Sequence, residues 1–119
     1  MFIDMDEKYP VNSSTEAEIR REKAEALGRA GERLDDALNA LESARASIAE
    51  IEARLRHGPN PPEEAASLRE AHEQLAARLA VCRDQADLAY QYLIIQREAV
   101  GVRYHLDVER CYQISERLG

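Results

Sequence analysis

The sequence predicts an all-α protein, a long antiparallel helical hairpin of coiled-coil character that pairs into a four-helix bundle. Three observations carry this. Leu27, Leu34, Leu41, Ile48 and Leu55 recur at steps of seven, with Ala30, Ala37, Ala44 and Ile51 three residues after the first four. A repeat of seven that alternates large and small residues is the seam of a helix lying close against another helix. Charged residues make up 33% of the chain and aromatic residues 5%, with no Trp, a balance that suits long helices rather than a sheet. The densest cluster of helix-breaking residues is Gly58, Pro59, Asn60, Pro61 and Pro62, with a long periodic segment on either side.

Residues 1–12 show no helical period, and Pro10 restricts Tyr9 to extended conformations, so this stretch is expected to be an extended N-terminal arm. Its mixture of apolar and acidic residues holds the chain's one Phe, Phe2, and suits docking into a groove on another protein. Residues 13–119 form a single domain. Ser13, Ser14 and Thr15 are alternative N-caps, and Glu16 and Glu18 are placed to close a capping box in two registers. Helix one is expected over about 14–57, ~60 Å long at ~1.5 Å per residue. Gly28 and Gly31, with Ala24 one turn earlier, read equally as a patch that admits a close neighbour or as a weak stretch of helix.

The turn is expected at 58–61. Asn60 suits the next N-cap, Pro61 and Pro62 suit positions whose N–H groups lack helical partners, and Glu63 and Glu64 complement the helix dipole. Helix two is expected over about 62–100. Its seam of Leu68, His72, Leu75, Leu79, Cys82, Ala86, Ala89, Leu93, Gln96 and Val100 matches helix one in antiparallel register, large residues opposite small ones.

From Ala77 a second apolar stripe runs through Val81, Leu88, Tyr92, Ile95, Ala99, Val102 and Leu106. A hairpin needs one seam, so this stripe calls for another layer, most simply a second hairpin about a two-fold axis. Gly101 inside a helix costs about 1 kcal/mol relative to Ala. Beyond it, Val102, Leu106, Val108, Cys111, Tyr112, Ile114 and Leu118 mark a C-terminal helical segment over about 102–118. Either helix two continues, or the chain bends near Gly101 and a short third helix turns back from near His105.

The formal net charge is −7, and the basic residues are scattered among acidic ones, so a phosphate backbone would meet mostly repulsion and no nucleic-acid partner is expected. No stretch approaches the ~20 apolar residues of a bilayer span, and residues 1–9 are acidic where a signal peptide would be basic. The expectation is a soluble, cytoplasmic protein without membrane insertion. Cys82 and Cys111 stand at apolar helical positions, as reduced, buried thiols do.

His72 followed by Glu73 resembles the His-Glu pair of histidine-kinase dimerisation helices, which also sit in paired helical hairpins. The resemblance covers those two residues and the architecture. It implies a signalling role in which His72 carries a phosphoryl group made elsewhere, the chain having no nucleotide-binding domain. No Glu-x-x-His occurs. Within one helix, His105 and Cys111 would stand ~240° apart and His72 and Cys82 ~15 Å apart, so neither a metal nor another cofactor is expected. A Gly-rich phosphate loop, a Gly-x-Ser-x-Gly elbow and a cysteine with a locally placed His are all absent, so no catalytic residue is assigned.

The richest polar concentration beside apolar surface is Gln96, Arg97, Glu98, Arg103, Tyr104 and His105. It reads as a docking site for an anion or carboxylate, as the pocket of a small helical enzyme around Gln96 and Arg103, or as a register-setting polar group with solvated charges at a helix end. The function expected from the whole is a non-catalytic protein–protein interaction module, an adaptor, scaffold or regulatory subunit. Its expected partners are a second copy and an unidentified protein, and its interface is Val81, Leu88, Tyr92, Ile95, Ala99, Val102 and Leu106.

Overall fold

The computed structural model describes residues 3–119, with side chains from Thr15 onward. Helix α1 spans Ile3–Arg56, 54 residues, and α2 spans Pro62–Ala99, 38 residues. The two pack against each other as a hairpin in a molecule 86 Å long, 26 Å wide and 14 Å thick. No strand occurs among the described residues. α1 is the longer helix, and every residue from Thr15 to Glu25 is exposed.

α1 begins ahead of the caps read at Ser13 to Thr15, and over 3–12 the backbone is helical where an extended arm is expected. Pro10 removes one N–H from the hydrogen-bond ladder, which does not by itself end a helix. What the arm's side chains touch lies outside the described residues.

The turn falls where the breakers gather, with one change of role. Pro61 is the N-cap of α2 and Pro62 its first residue, followed by Glu63 and Glu64. Asn60 instead turns back, its Nδ2 donating to the Arg54 carbonyl at 3.1 Å, and so satisfies one of the carbonyls left open at the end of α1.

The seam packs as its spacing requires. Ala30, Leu34, Leu41 and Ala44 of α1 are buried with Cys82, Ala86, Ala89 and Leu93 of α2. Nearer the turn, Ile48, Ile51, Leu55, Leu75 and Leu79 are only half-buried, because two helices alone cannot enclose a stripe. At the other end a third layer encloses it.

That layer begins at Gly101. The Gly101 N–H bonds the Glu98 carbonyl at 3.0 Å and the Val102 N–H bonds the Arg97 carbonyl at 2.9 Å, the paired bonds of a Schellman motif that closes a helix. Gly101 holds φ +96°, a conformation that glycine adopts without a Cβ penalty. The chain then reverses. Residues 102–105 are non-helical, α3 spans Leu106–Tyr112 with His105 as its N-cap and α4 spans Ile114–Leu118, so the chain bends at Gly101 and the C-terminal helical segment expected over about 102–118 consists of two short helices. They are split at Gln113, whose φ is +53°.

The reversal brings Val108 and Ile114 into the one buried cluster that also holds Leu38, which is 0% exposed. Leu38 belongs to a line beside the main seam, Gly31, Leu38 and Arg45, again at steps of seven. A Cβ at Gly31 would stand 3.2 Å from the Tyr112 hydroxyl, so this glycine admits a side chain. Arg45 Nη1 donates to the Arg117 carbonyl at 2.6 Å, while the Arg117 guanidinium reaches Glu42 and, at 3.3 Å, Asn39. Gly28 has open space around it.

Candidate interaction surface

At 3.6 residues per turn, Cys82, Ala86, Ala89 and Leu93 point roughly 100–160° round α2 from Leu88. With those four buried against α1, Leu88 looks outward. Val81, Leu88 and Ile95, seven residues apart, are 54%, 62% and 59% exposed, and Ala77, Tyr92 and Ala99 beside them are exposed as well. Isolated apolar residues are common on protein surfaces, whereas an aligned run of them is a candidate contact face. Arg33 of α1 sits 5.6 Å from the centroid of the Tyr92 ring, a cation–π contact that orients the tyrosine.

The stripe ends with α2. Val102 and Leu106 lie beyond the Schellman turn, Val102 half-buried and Leu106 exposed as the first residue of α3. They do not continue the line of Leu88 and Ile95, because the helical period stops at Gly101.

The polar residues near this end do not converge on one site. Gln96 is half-buried and borders an open groove with Ile19, Ala26 and Arg29, on the side facing α1. Arg103 and Tyr104 are exposed, Tyr104 at 88%. Arg97 is consumed internally. Its Nε donates to His105 Nδ1 at 3.2 Å, and its Nη2 donates to the Tyr104 carbonyl at 3.2 Å and to the two Asp107 carboxylate oxygens at 3.0 and 3.1 Å. His105 Nε2 lies 3.4 Å from Glu98 Oε2. With Arg97 donating, Nδ1 is the acceptor and the proton sits on Nε2, facing the carboxylate. The guanidinium ties the reversed chain to the end of α2, its Nε held by His105 and its Nη2 by Tyr104 and Asp107.

Around this clasp, desolvation pushes the Asp107 carboxyl up. The Arg97 hydrogen bond, backbone N–H bonds and the Arg97 charge outweigh it, so the group sits below the ordinary carboxylate range. Burial raises the Tyr90 and Tyr112 hydroxyls. Glu109 adds to the first, and Cys111 and Asp35 add to the second. Asp107 and Arg117 are the structurally important polar residues that the sequence reading passed over. Asp107 carries a local signal, an opposite charge ten residues from Arg97 across a glycine, whereas Glu42 and Arg117 are 75 residues apart.

His72 lies at the turn end, half-buried, its Nε2 3.6 Å from Glu52 Oε2. It borders an open groove of about 800 Å³ with Glu52, Arg56, Arg69 and Glu73. Glu73 is exposed. Both cysteines are free thiols; Cys82 is buried as expected, whereas Cys111, on the outer side of the short helix α3, is exposed. Among the described residues, no group of three or more His, Cys, Asp or Glu side chains is placed to hold a metal ion, and no helix is long and apolar enough to cross a membrane. No protein-family model, characterised protein or solved structure matches the chain.

Proposed function

We propose that the chain is a non-catalytic protein–protein interaction module, an adaptor, scaffold or regulatory subunit, that recognises its partners through the outward face of α2. The observation that carries this reading is the aligned exposure of Val81, Leu88 and Ile95 on α2, while the polar side chain best suited to ligand chemistry, Arg97, is already held by His105 and Asp107. Covering that face with a second hairpin gives a four-helix assembly, the simplest way to supply the layer that it lacks. Free thiols at Cys82 and Cys111 suit a reducing compartment such as the cytoplasm.

The test is photo-crosslinking in cells that make the protein, comparing wild type with Leu88→Arg and His72→Ala. Loss of the crosslinked partners in Leu88→Arg, with His72→Ala unchanged, is the expected result. The opposite pattern would move the function to His72 and to phosphoryl transfer, and unchanged partners in both variants would remove the α2 face from the function.

A further inference from the structure

The geometry points to one occupant of the α2 face, a second copy of this chain docked antiparallel, with a two-fold axis passing through Leu88. This rests on the interaction-module reading above and names the partner and its register.

The carrying observation is that, but for the pair four residues away, the face reads alike in both directions from Leu88. Three residues away stand Gln85 and Gln91, four away Asp84 and Tyr92, seven away Val81 and Ile95, and eleven away Ala77 and Ala99. All of these residues are exposed. On an ideal helix, Ala77, Val81, Leu88, Ile95 and Ala99 fall within about 20° of one line. A two-fold axis at Leu88 brings residues equally far from it to the same height. Leu88 then meets the partner's Leu88, Val81 meets the partner's Ile95, and Ala77 meets the partner's Ala99. Every layer on that line is apolar against apolar along ~33 Å of helix, and the small residues fall at the two ends.

The edges agree. Tyr92 and Gln85 flank the line on one side, about 40° and 60° from it, and Asp84 and Gln91 flank it on the other. The two-fold sets Tyr92 within one residue's rise of the partner's Gln85, a hydroxyl donor beside an amide oxygen. It likewise sets Gln91 beside the partner's Asp84. Gln91 Nε2 already donates one N–H to Asp87 at 2.9 Å, and the second is free to meet a carboxylate. A parallel pairing would put Asp84 in the same layer as the partner's Asp84 and bring two like charges together as water leaves. The antiparallel pairing puts Asp84 level with the partner's Tyr92. Asp87 lies about 100° from the contact line and keeps its water. Tyr92, already oriented by Arg33, loses less freedom on docking than an unrestrained side chain.

Light scattering at ~100 µM is expected to give a mass near twice 13.5 kDa and to fall to the single-chain mass in Leu88→Arg with its helical circular dichroism intact. Register is read by disulfide trapping in a Cys111→Ser background. Leu88→Cys should link to itself. Val81→Cys alone should not, since its two thiols would stand ~21 Å apart along the axis, whereas a mixture of Val81→Cys and Ile95→Cys should link. A single-chain mass for the wild type, or self-linking of Val81→Cys as fast as Leu88→Cys, overturns the proposal. If the wild type is monomeric yet Leu88→Arg still strips its cellular contacts, the register fails while the interaction reading stands.

Discussion

Leu38 is the residue on which the three-layered end of the molecule turns, and truncating it gives a sharp measure of what α3 and α4 contribute. Its side chain is 0% exposed and shares one buried cluster with Val108 and Ile114. Leu38→Ala removes three buried carbons, about 2.5 kcal/mol at ~0.8 kcal/mol each. A residual cavity adds to this, so the expected loss is ~3–4 kcal/mol, inside the range of fully buried leucines. The assay is urea unfolding followed by circular dichroism at one fixed protein concentration, which holds any contribution from association constant. Combining Leu38→Ala with Ile114→Ala, 6% exposed on α4, should be non-additive by at least ~0.5 kcal/mol. Pairing it with Leu68→Ala, buried nearer the turn, should be additive. A loss below ~1 kcal/mol for Leu38→Ala, or additivity with Ile114→Ala, would refute the claim that the reversed segment seals the core over Leu38.

Two further outcomes follow from the same geometry. The folded-state carboxyl of Asp107 is held below its ordinary value, with Arg97 hydrogen-bonded to it. Its stabilising contribution is therefore present above the unfolded pKa of about 3.9 and lost as pH falls through the folded value. Asp107→Asn should flatten the acid side of the melting-temperature profile, and a profile unchanged from wild type would dismiss the clasp as a source of acid sensitivity. Gly28→Ala, in open space on α1, should stabilise by ~0.5–1 kcal/mol. Gly31→Ala should gain less or nothing, because the new methyl meets the Tyr112 hydroxyl at 3.2 Å; equal gains in thermal unfolding would show that Tyr112 does not rest on Gly31.

The hairpin was legible because its signals are local. A period of seven and a cluster of prolines state where helices run and stop without reference to distant residues, and Ala30, Leu34, Leu41, Cys82, Ala86 and Leu93 are buried where that period puts them. Leu38 was not legible. One leucine beside a seam acquires meaning only when Val108, Ile114 and Arg117 arrive from the far end of the chain. The outward face was readable over Val81, Leu88, Tyr92, Ile95 and Ala99 for the same local reason. Extending it to Val102 and Leu106 carried the helical period through a glycine whose φ of +96° ends the helix. Arg97 was singled out by type, but its role was decided by Asp107 and His105, which only the chain reversal brings to it.

The bonds from Arg117 to Glu42 and Asn39 join points 75 and 78 residues apart, whereas the two long helices form from contacts that start at the turn and move outward. Closing so large a loop gains nothing until the hairpin is in place. The reversed segment is therefore the last part of the chain to settle, and its short helices make it the part that opens at least cost. An opening there would bare Gly31 and the Tyr112 ring while α1 and α2 stay joined, an inner surface that the folded chain keeps covered.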